Sequence, residues 1–266
     1  MAELIVDADW IADRRDTIRL VDVRDPWEFE GIGHIPGAVN IPFERFRADV
    51  HAAEGGPDRG MLPGAEAFAE VMGSVGITNN DDIVAYDDDH GVFAARLLVT
   101  AELYGHPLER LHLLSGDFSA WQRDHEVTTD TPDPTPTTYE TSEPADTPLV
   151  DMDTVATAAD DPTAILVDTR EQWEFAEGHI PGAVRLDWRE LVDDESRKIK
   201  PESELRTLLE ERGIVPEKRV VLYCNTARRI SHTYVVLRHL GYPRLSFYEG
   251  SLTEWEAAGR SLATGE

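Results

Sequence analysis

Residues 20–43 read LVDVRDPWEFEGIGHIPGAVNIPF, and residues 166–188 read LVDTREQWEFAEGHIPGAVRLDW. Asp22, Arg24, Trp27, Glu28 and Phe29 each stand 146 positions before Asp168, Arg170, Trp173, Glu174 and Phe175, and one extra residue near Ile32 absorbs the only slip before GHIPGA. A second match lies near the end of each copy, SGDFSAW at 115–121 against EGSLTEW at 249–255. The 266-residue chain is therefore an internal duplication, and each copy is long enough to bury a core of its own. Between the copies runs TTDTPDPTPTTYETSEPADTP (128–148), whose proline, threonine and acid content predicts an extended linker. The expected division is 1–127, linker 128–148, and 149–266.

Within each copy, short apolar runs alternate with helical patterns, which predicts an α/β fold of two tandem domains, each a parallel sheet flanked by helices. In the second copy the expected strands are 164–168, 183–186, 219–223 and 244–248, with a helix over 201–213. After the third strand, Ile230, Tyr234 and Leu237 form an apolar helical stripe.

Charge narrows the function classes. The formal net charge is -27, with lysine only at Lys198, Lys200 and Lys218. Phosphate backbones are bound by clustered Lys and Arg, so nucleic acid is not an expected partner. No stretch approaches the roughly 18–20 apolar residues of a membrane span, nor does the start of the chain carry a signal core, so a cytoplasmic protein with no membrane partner is expected. The acid-rich, lysine-poor surface resembles that of proteins from salt-accumulating halophiles, in which molar salt screens self-repulsion.

A single cysteine, Cys224, excludes a disulfide within the chain. It follows the strand RVVLY and precedes a helix, at the sheet edge where open α/β folds bind ligands. The turn Cys224-Asn225-Thr226-Ala227-Arg228-Arg229 can curl its backbone N–H groups into an anion nest, reinforced by the helix N-terminus. Helix N-termini with nearby Arg lower a thiol's pKa from about 8.5 to roughly 3.5–7.5, which suits such a position to a nucleophilic thiolate. Burial as a small core side chain is the competing reading, and two adjacent arginines argue against it, because an apolar core does not tolerate unpaired guanidinium groups. The loop lacks glycine, and Asn225 is the residue expected to take positive φ.

The paired D-x-R…GHIPGA segments, the cysteine loop after a central strand, and the G-x-x-x-W near each end together resemble tandem rhodaneses, over nearly the whole chain outside the linker. The resemblance implies a sulfurtransferase that needs no cofactor or metal. In that family a cysteine attacks a sulfane donor such as thiosulfate, becomes a persulfide, and passes the sulfur to cyanide or a thiol. Cys224 matches the nucleophile, and Asn225, Thr226, Ala227, Arg228 and Arg229 match the substrate-binding loop around it. Aligning AYDDDHGVFAARL (85–97) by its tyrosine puts Asp87 at the cysteine position of the first copy, which implies a non-catalytic half.

The loop C-N-T-A-R-R matches neither the C-R-K-G-V-T of thiosulfate-preferring members nor the C-G-S-G-V-T of mercaptopyruvate-preferring ones. Where known members carry a substrate-binding arginine after D-x-R, this chain has Glu174. Arg228 and Arg229 favour a small dianion, hence thiosulfate as donor. The alternatives are 3-mercaptopyruvate as donor and a relay module passing sulfur to a protein acceptor. Cysteine phosphatase chemistry is disfavoured, because it needs five residues between cysteine and arginine, and position seven here is Ile230.

Other groups read as scaffold. The Asp22/Arg24 and Asp168/Arg170 pairs recur in the half without cysteine; His34 and His179 belong to turns; Trp121 and Trp255 are core anchors. The run Asp87, Asp88, Asp89, His90 reads as a solvated loop rather than a metal site. If the acidic surface is a salt adaptation, the melting temperature will rise between dilute buffer and molar KCl. A flat or falling trend in a thermal scan would return the composition to that of an ordinary acidic protein.

Overall fold

The runs IRLVD and AILVD are too short for helices and apolar on both faces, as central parallel strands must be. They become β2 and β6. The computed structural model describes residues 3–48 and 62–265, which fall into two units: 3–48, 62–147 and 194–199 in one, 148–193 and 200–265 in the other.

In the first unit β1 (Ile5–Val6), β2 (Ile18–Asp22), β3 (Val39–Asn40), β4 (Asp82–Tyr86) and β5 (Leu111–Leu114) form a parallel sheet in the order β1-β5-β4-β2-β3. Its helices are α1 (Ala8–Arg14), α2 (Pro26–Gly31), α3 (Ala65–Ser74), α4 (Val92–Leu103) and α5 (Phe118–Trp121). The second unit repeats the plan with α6 (Met152–Ala158), β6 (Ala164–Asp168), α7 (Gln172–Glu177), β7 (Val184–Arg185), α8 (Glu202–Glu210), β8 (Arg219–Tyr223), α9 (Arg228–His239), β9 (Leu245–Phe247) and α10 (Ser251–Ala257). Its parallel sheet runs β7-β6-β8-β9. Each sheet with its flanking helices is the α/β domain expected from the sequence.

The duplication extends to register. Asp22 lies opposite Tyr86 across β2 and β4, and Asp168 lies opposite Tyr223 across β6 and β8. Each tyrosine hydroxyl then accepts the N–H of the isoleucine in GHIPGA, Ile35 at 3.1 Å and Ile180 at 3.0 Å. A short edge strand in the first unit becomes a single bridge in the second, where Leu149 meets Phe247.

Helix α9 is buried more widely than its stripe predicts. Ile230, Tyr234 and Leu237 are all enclosed, but so are Ser231, His232 and Thr233. The turn at Trp188–Leu191 packs against α9, and Trp188 meets His232 edge to face at 5.2 Å. A helix covered on two sides hides polar positions that the sequence pattern reads as exposed.

Residues 129–147 hold neither helix nor strand, in keeping with their composition, yet they lie along the first unit. Thr137 donates its N–H to the Gly73 carbonyl at 2.9 Å and its hydroxyl to Ile77 at 2.7 Å. Asn79 and the backbone of Glu140 exchange two bonds, at 2.7 and 2.8 Å. Tyr139 is 4% exposed and packs edge-on against Phe68, with its hydroxyl 3.1 Å from His106 Nδ1. These bonds satisfy backbone groups that a proline-rich segment cannot pair within itself.

The strap comes so close at Gly73 that a Cβ there would sit 2.6 Å from the Thr137 carbonyl oxygen. Gly73→Ala should therefore cost about 1–3 kcal/mol by overpacking and expose the strap to protease. An unchanged melting temperature and an unchanged digestion pattern within 128–147 would contradict that close approach.

Candidate functional site

Strand β8 ends at Tyr223, and Cys224 follows at its carboxyl end, 1% exposed. The loop returns sharply into α9 because Ala227 takes a left-handed conformation, φ 62°. The expectation for Asn225 is thus not met. The chain reverses at the fourth loop position in both copies, since His90 occupies the equivalent place at φ 57°. Ala227 holds this conformation with its carbonyl accepting the Ser231 hydroxyl at 2.9 Å, and Arg228 N–H donates to the Thr226 carbonyl at 2.8 Å.

Beneath the loop lies the buried Asp168–Arg170 pair. Arg170 Nε reaches both carboxylate oxygens at 2.9 and 3.0 Å, and Nη2 reaches Oδ2 at 2.7 Å. Nη2 also donates to the Gly178 carbonyl at 2.6 Å, which fastens the GHIPGA turn. Asp22 and Arg24 repeat this with Gly33, so both pairs serve as scaffold. One difference bears on the site: Arg170 Nη1 reaches Asn225 Oδ1 at 3.4 Å, whereas Arg24 lies over the Phe118 ring at 3.7 Å.

Glu174 closes the other side. It sits in the first turn of α7 in a capping box, and its Oε2 accepts the Glu171 N–H at 3.1 Å. Asn225 Nδ2 donates to Oε1 at 2.9 Å, and both terminal nitrogens of Arg229 bind the carboxylate. Burial works against ionisation of Glu174, but Arg229, the Glu171 amide and Asn225 together hold its pKa below the ordinary glutamate range. Arg229, expected to face a dianion, is engaged by this carboxylate. Arg228 opens α9 and is half-buried.

Ser251 and Thr253 back the loop, and the sequence reading missed both. Ser251 Oγ accepts the Cys224 N–H at 3.2 Å and donates to the Tyr248 carbonyl at 2.9 Å. The Asn225 carbonyl accepts the Thr253 hydroxyl at 2.8 Å, and the Cys224 carbonyl accepts the Leu252 N–H at 2.9 Å. The signal was the repeated segment at 249–255, which marks the duplication and places Trp255 but also carries these two hydroxyls.

The first copy has the same loop around a different charge. Asp87 Oδ1 accepts the N–H groups of Asp89 (2.9 Å) and Gly91 (2.7 Å), and Oδ2 accepts those of Phe93 (2.8 Å) and Ala94 (3.0 Å). Full burial pushes its pKa up to about 6 against these four bonds. A built-in carboxylate thus fills the nest of the first copy, whereas at the matching positions of the second the Arg228 and Ser231 N–H groups bind the Thr226 and Ala227 carbonyls. Asp88 binds the Ser119 amide and hydroxyl at 2.8 and 2.9 Å and pairs with Arg197 at 3.4 Å, so it is tied down rather than solvated. Among the described residues no cluster of His, Cys, Asp or Glu is arranged to hold a metal ion.

The remaining scaffold readings have plain geometry. His34 and His179 stack on Phe29 and Phe175 at 3.6 and 3.7 Å, with Nδ1 against the same residue's carbonyl. Trp121 and Trp255 are buried and donate Nε1–H to the carbonyls of Glu126 and Ser261.

The rhodanese-like domain profile matches residues 7–124 and 151–258. The sulfur carrier protein TtuD of Thermus thermophilus is 30% identical over 99% of this chain and 98% of its own length. A putative thiosulfate sulfurtransferase of Synechococcus elongatus is 33% identical over 96% of this chain and 83% of its own. An anaerobic ergothioneine biosynthesis enzyme from Chlorobium limicola superposes with a TM-score of 0.84, covering 99% of this chain and 70% of that one; at 20% identity this is a likeness of fold.

Because Arg170 is enclosed, Asp168→Asn leaves its guanidinium without a compensating charge. That should cost about 3–5 kcal/mol of unfolding free energy. Chemical denaturation checks it; a loss below about 1 kcal/mol, the worth of an exposed pair, would sink the scaffold reading.

Proposed function

The chain belongs to the rhodanese family through both of its halves, and from that premise we propose that it is a thiosulfate sulfurtransferase acting through a Cys224 persulfide. The Cys224 thiolate attacks the outer sulfur of thiosulfate; the S–S bond of the donor breaks, and sulfite leaves with the bonding pair. The terminal persulfide sulfur is then taken by a thiophilic acceptor, cyanide or a thiol, which regenerates the thiolate. No cofactor enters either step.

The observation that carries this reading is the pair of matched loops. Asp87 sits where Cys224 sits, and four backbone N–H groups converge on its charge. A loop that reverses at the same position after Cys224, with the N-terminus of α9 behind it, suits a thiolate and then a persulfide anion, because a helix N-terminus stabilises negative charge without a counterion. Asp87 itself has no sulfur chemistry, so transfer rests with the second copy. Relatives described as thiosulfate sulfurtransferases support the donor. The relative described as a sulfur carrier supports a second reading, in which a protein accepts the persulfide sulfur.

Incubation with thiosulfate should add one sulfur atom, about 32 Da, to the intact mass. Cys224→Ser should abolish both this adduct and thiocyanate formation from cyanide. Full transfer by the serine variant would end the proposal.

A further inference from the structure

The acid that faces the Cys224 loop does two jobs, and only one of them is shared between the copies. In the first unit Glu28 accepts the Asp25 N–H at 3.1 Å and completes the capping box of α2. Glu174 makes the equivalent bond in α7. Glu174 alone also takes Asn225 and Arg229, the second and last residues of the loop, where the first copy has Asp88 and Val92. Capping needs only the shared bond. The additional contacts occur where the thiol is.

Their electrostatic consequence is direct. Arg229 is held in the charged form against burial by Glu174, and it also interacts with Cys224. Its guanidinium is the cation an incoming anion would meet, yet Glu174 binds it with both carboxylate oxygens. Arg170, the neighbouring cation, is occupied by Asp168. Two of the three arginines at the loop are thus neutralised by buried acids, and the Glu174 carboxylate lies against the second and last residues of the loop that Cys224 begins.

From this we infer that Glu174 is a positioning residue that sets charge selectivity at Cys224: it engages Arg229, so anionic reagents, thiosulfate included, reach the thiol less readily than they would without its charge. The inference rests on the sulfurtransferase reading for its donor but not for its charge effect, and the test separates the two.

Cys224 is the sole cysteine, so alkylation of the intact chain reports on it without ambiguity. The rates of modification by iodoacetate and by iodoacetamide are measured by intact mass for the wild type, Glu174→Gln, Glu174→Asp and Arg229→Gln. Removing a unit charge bound to the loop should raise the iodoacetate-to-iodoacetamide ratio about fivefold to tenfold in Glu174→Gln. Glu174→Asp, which keeps the charge, should stay near the wild-type ratio, and Arg229→Gln should fall below it. In thiosulfate turnover Glu174→Gln should lower KM by a similar factor, more than it changes kcat. A ratio and a KM both unmoved by Glu174→Gln would reduce Glu174 to a brace for the loop and overturn the inference. A ratio that rises in a protein with no thiosulfate turnover would uphold the charge effect and remove the donor reading instead. Should Cys224 resist both reagents, the KM comparison decides alone.

Discussion

A buried arginine that cannot shed its charge organises each unit. Arg170 is 4% exposed, and Asp168, also enclosed, is the one acid that binds it side-on. Such a pair brings little net stability, since desolvation offsets most of the attraction, but its geometry is exacting. It joins the end of β6 to the Gly178 carbonyl, and so orients both α7 and the turn after it. From α7 comes Glu174, and from Glu174 the placement of Asn225 and Arg229. Misalign the pair and the loop loses its floor and one wall together.

The two copies offer a natural experiment in charge. Backbone reversal occurs at the same loop position, His90 in one and Ala227 in the other, and the carbonyls of Asp87 and Cys224 accept the amides of Phe118 and Leu252 alike. What differs is the group at the centre. A carboxylate has two oxygens, and four N–H donors saturate them at 2.7–3.0 Å. A thiol offers one large, weakly accepting atom, and around it the amides of Arg228 and Ser231 bind the carbonyls of Thr226 and Ala227. The first loop thus satisfies its amides with its own carboxylate, whereas two of the matching amides in the second turn to backbone carbonyls.

The formal charge of -27 and the backbone amides at the start of α9 act over different ranges. The overall field is screened over about 8–10 Å in ordinary salt, while backbone amides act at hydrogen-bond distance. Local dipoles therefore govern what the loop holds, and the acidic surface governs solubility and approach. Glu174 belongs to the local scale, because it lies within bonding distance of the loop.

The sequence by itself determined the duplication, the parallel α/β plan, the strand 219–223 with Cys224 at its end, and Asp87 at the matching place in the first copy. These follow from chain-local facts: an apolar run of strand length, a turn, a helical stripe, and two copies to compare. It also exposed Glu174 as an oddity. Only the tertiary structure decided what that residue binds, that Ala227 rather than Asn225 takes the left-handed turn, that Ser251 and Thr253 support the loop from behind, and that residues 129–147 pack through Tyr139. Each of these joins residues distant in the chain or depends on a backbone angle set by its surroundings. Side-chain identity limits which contacts are possible, and the folded backbone selects among them.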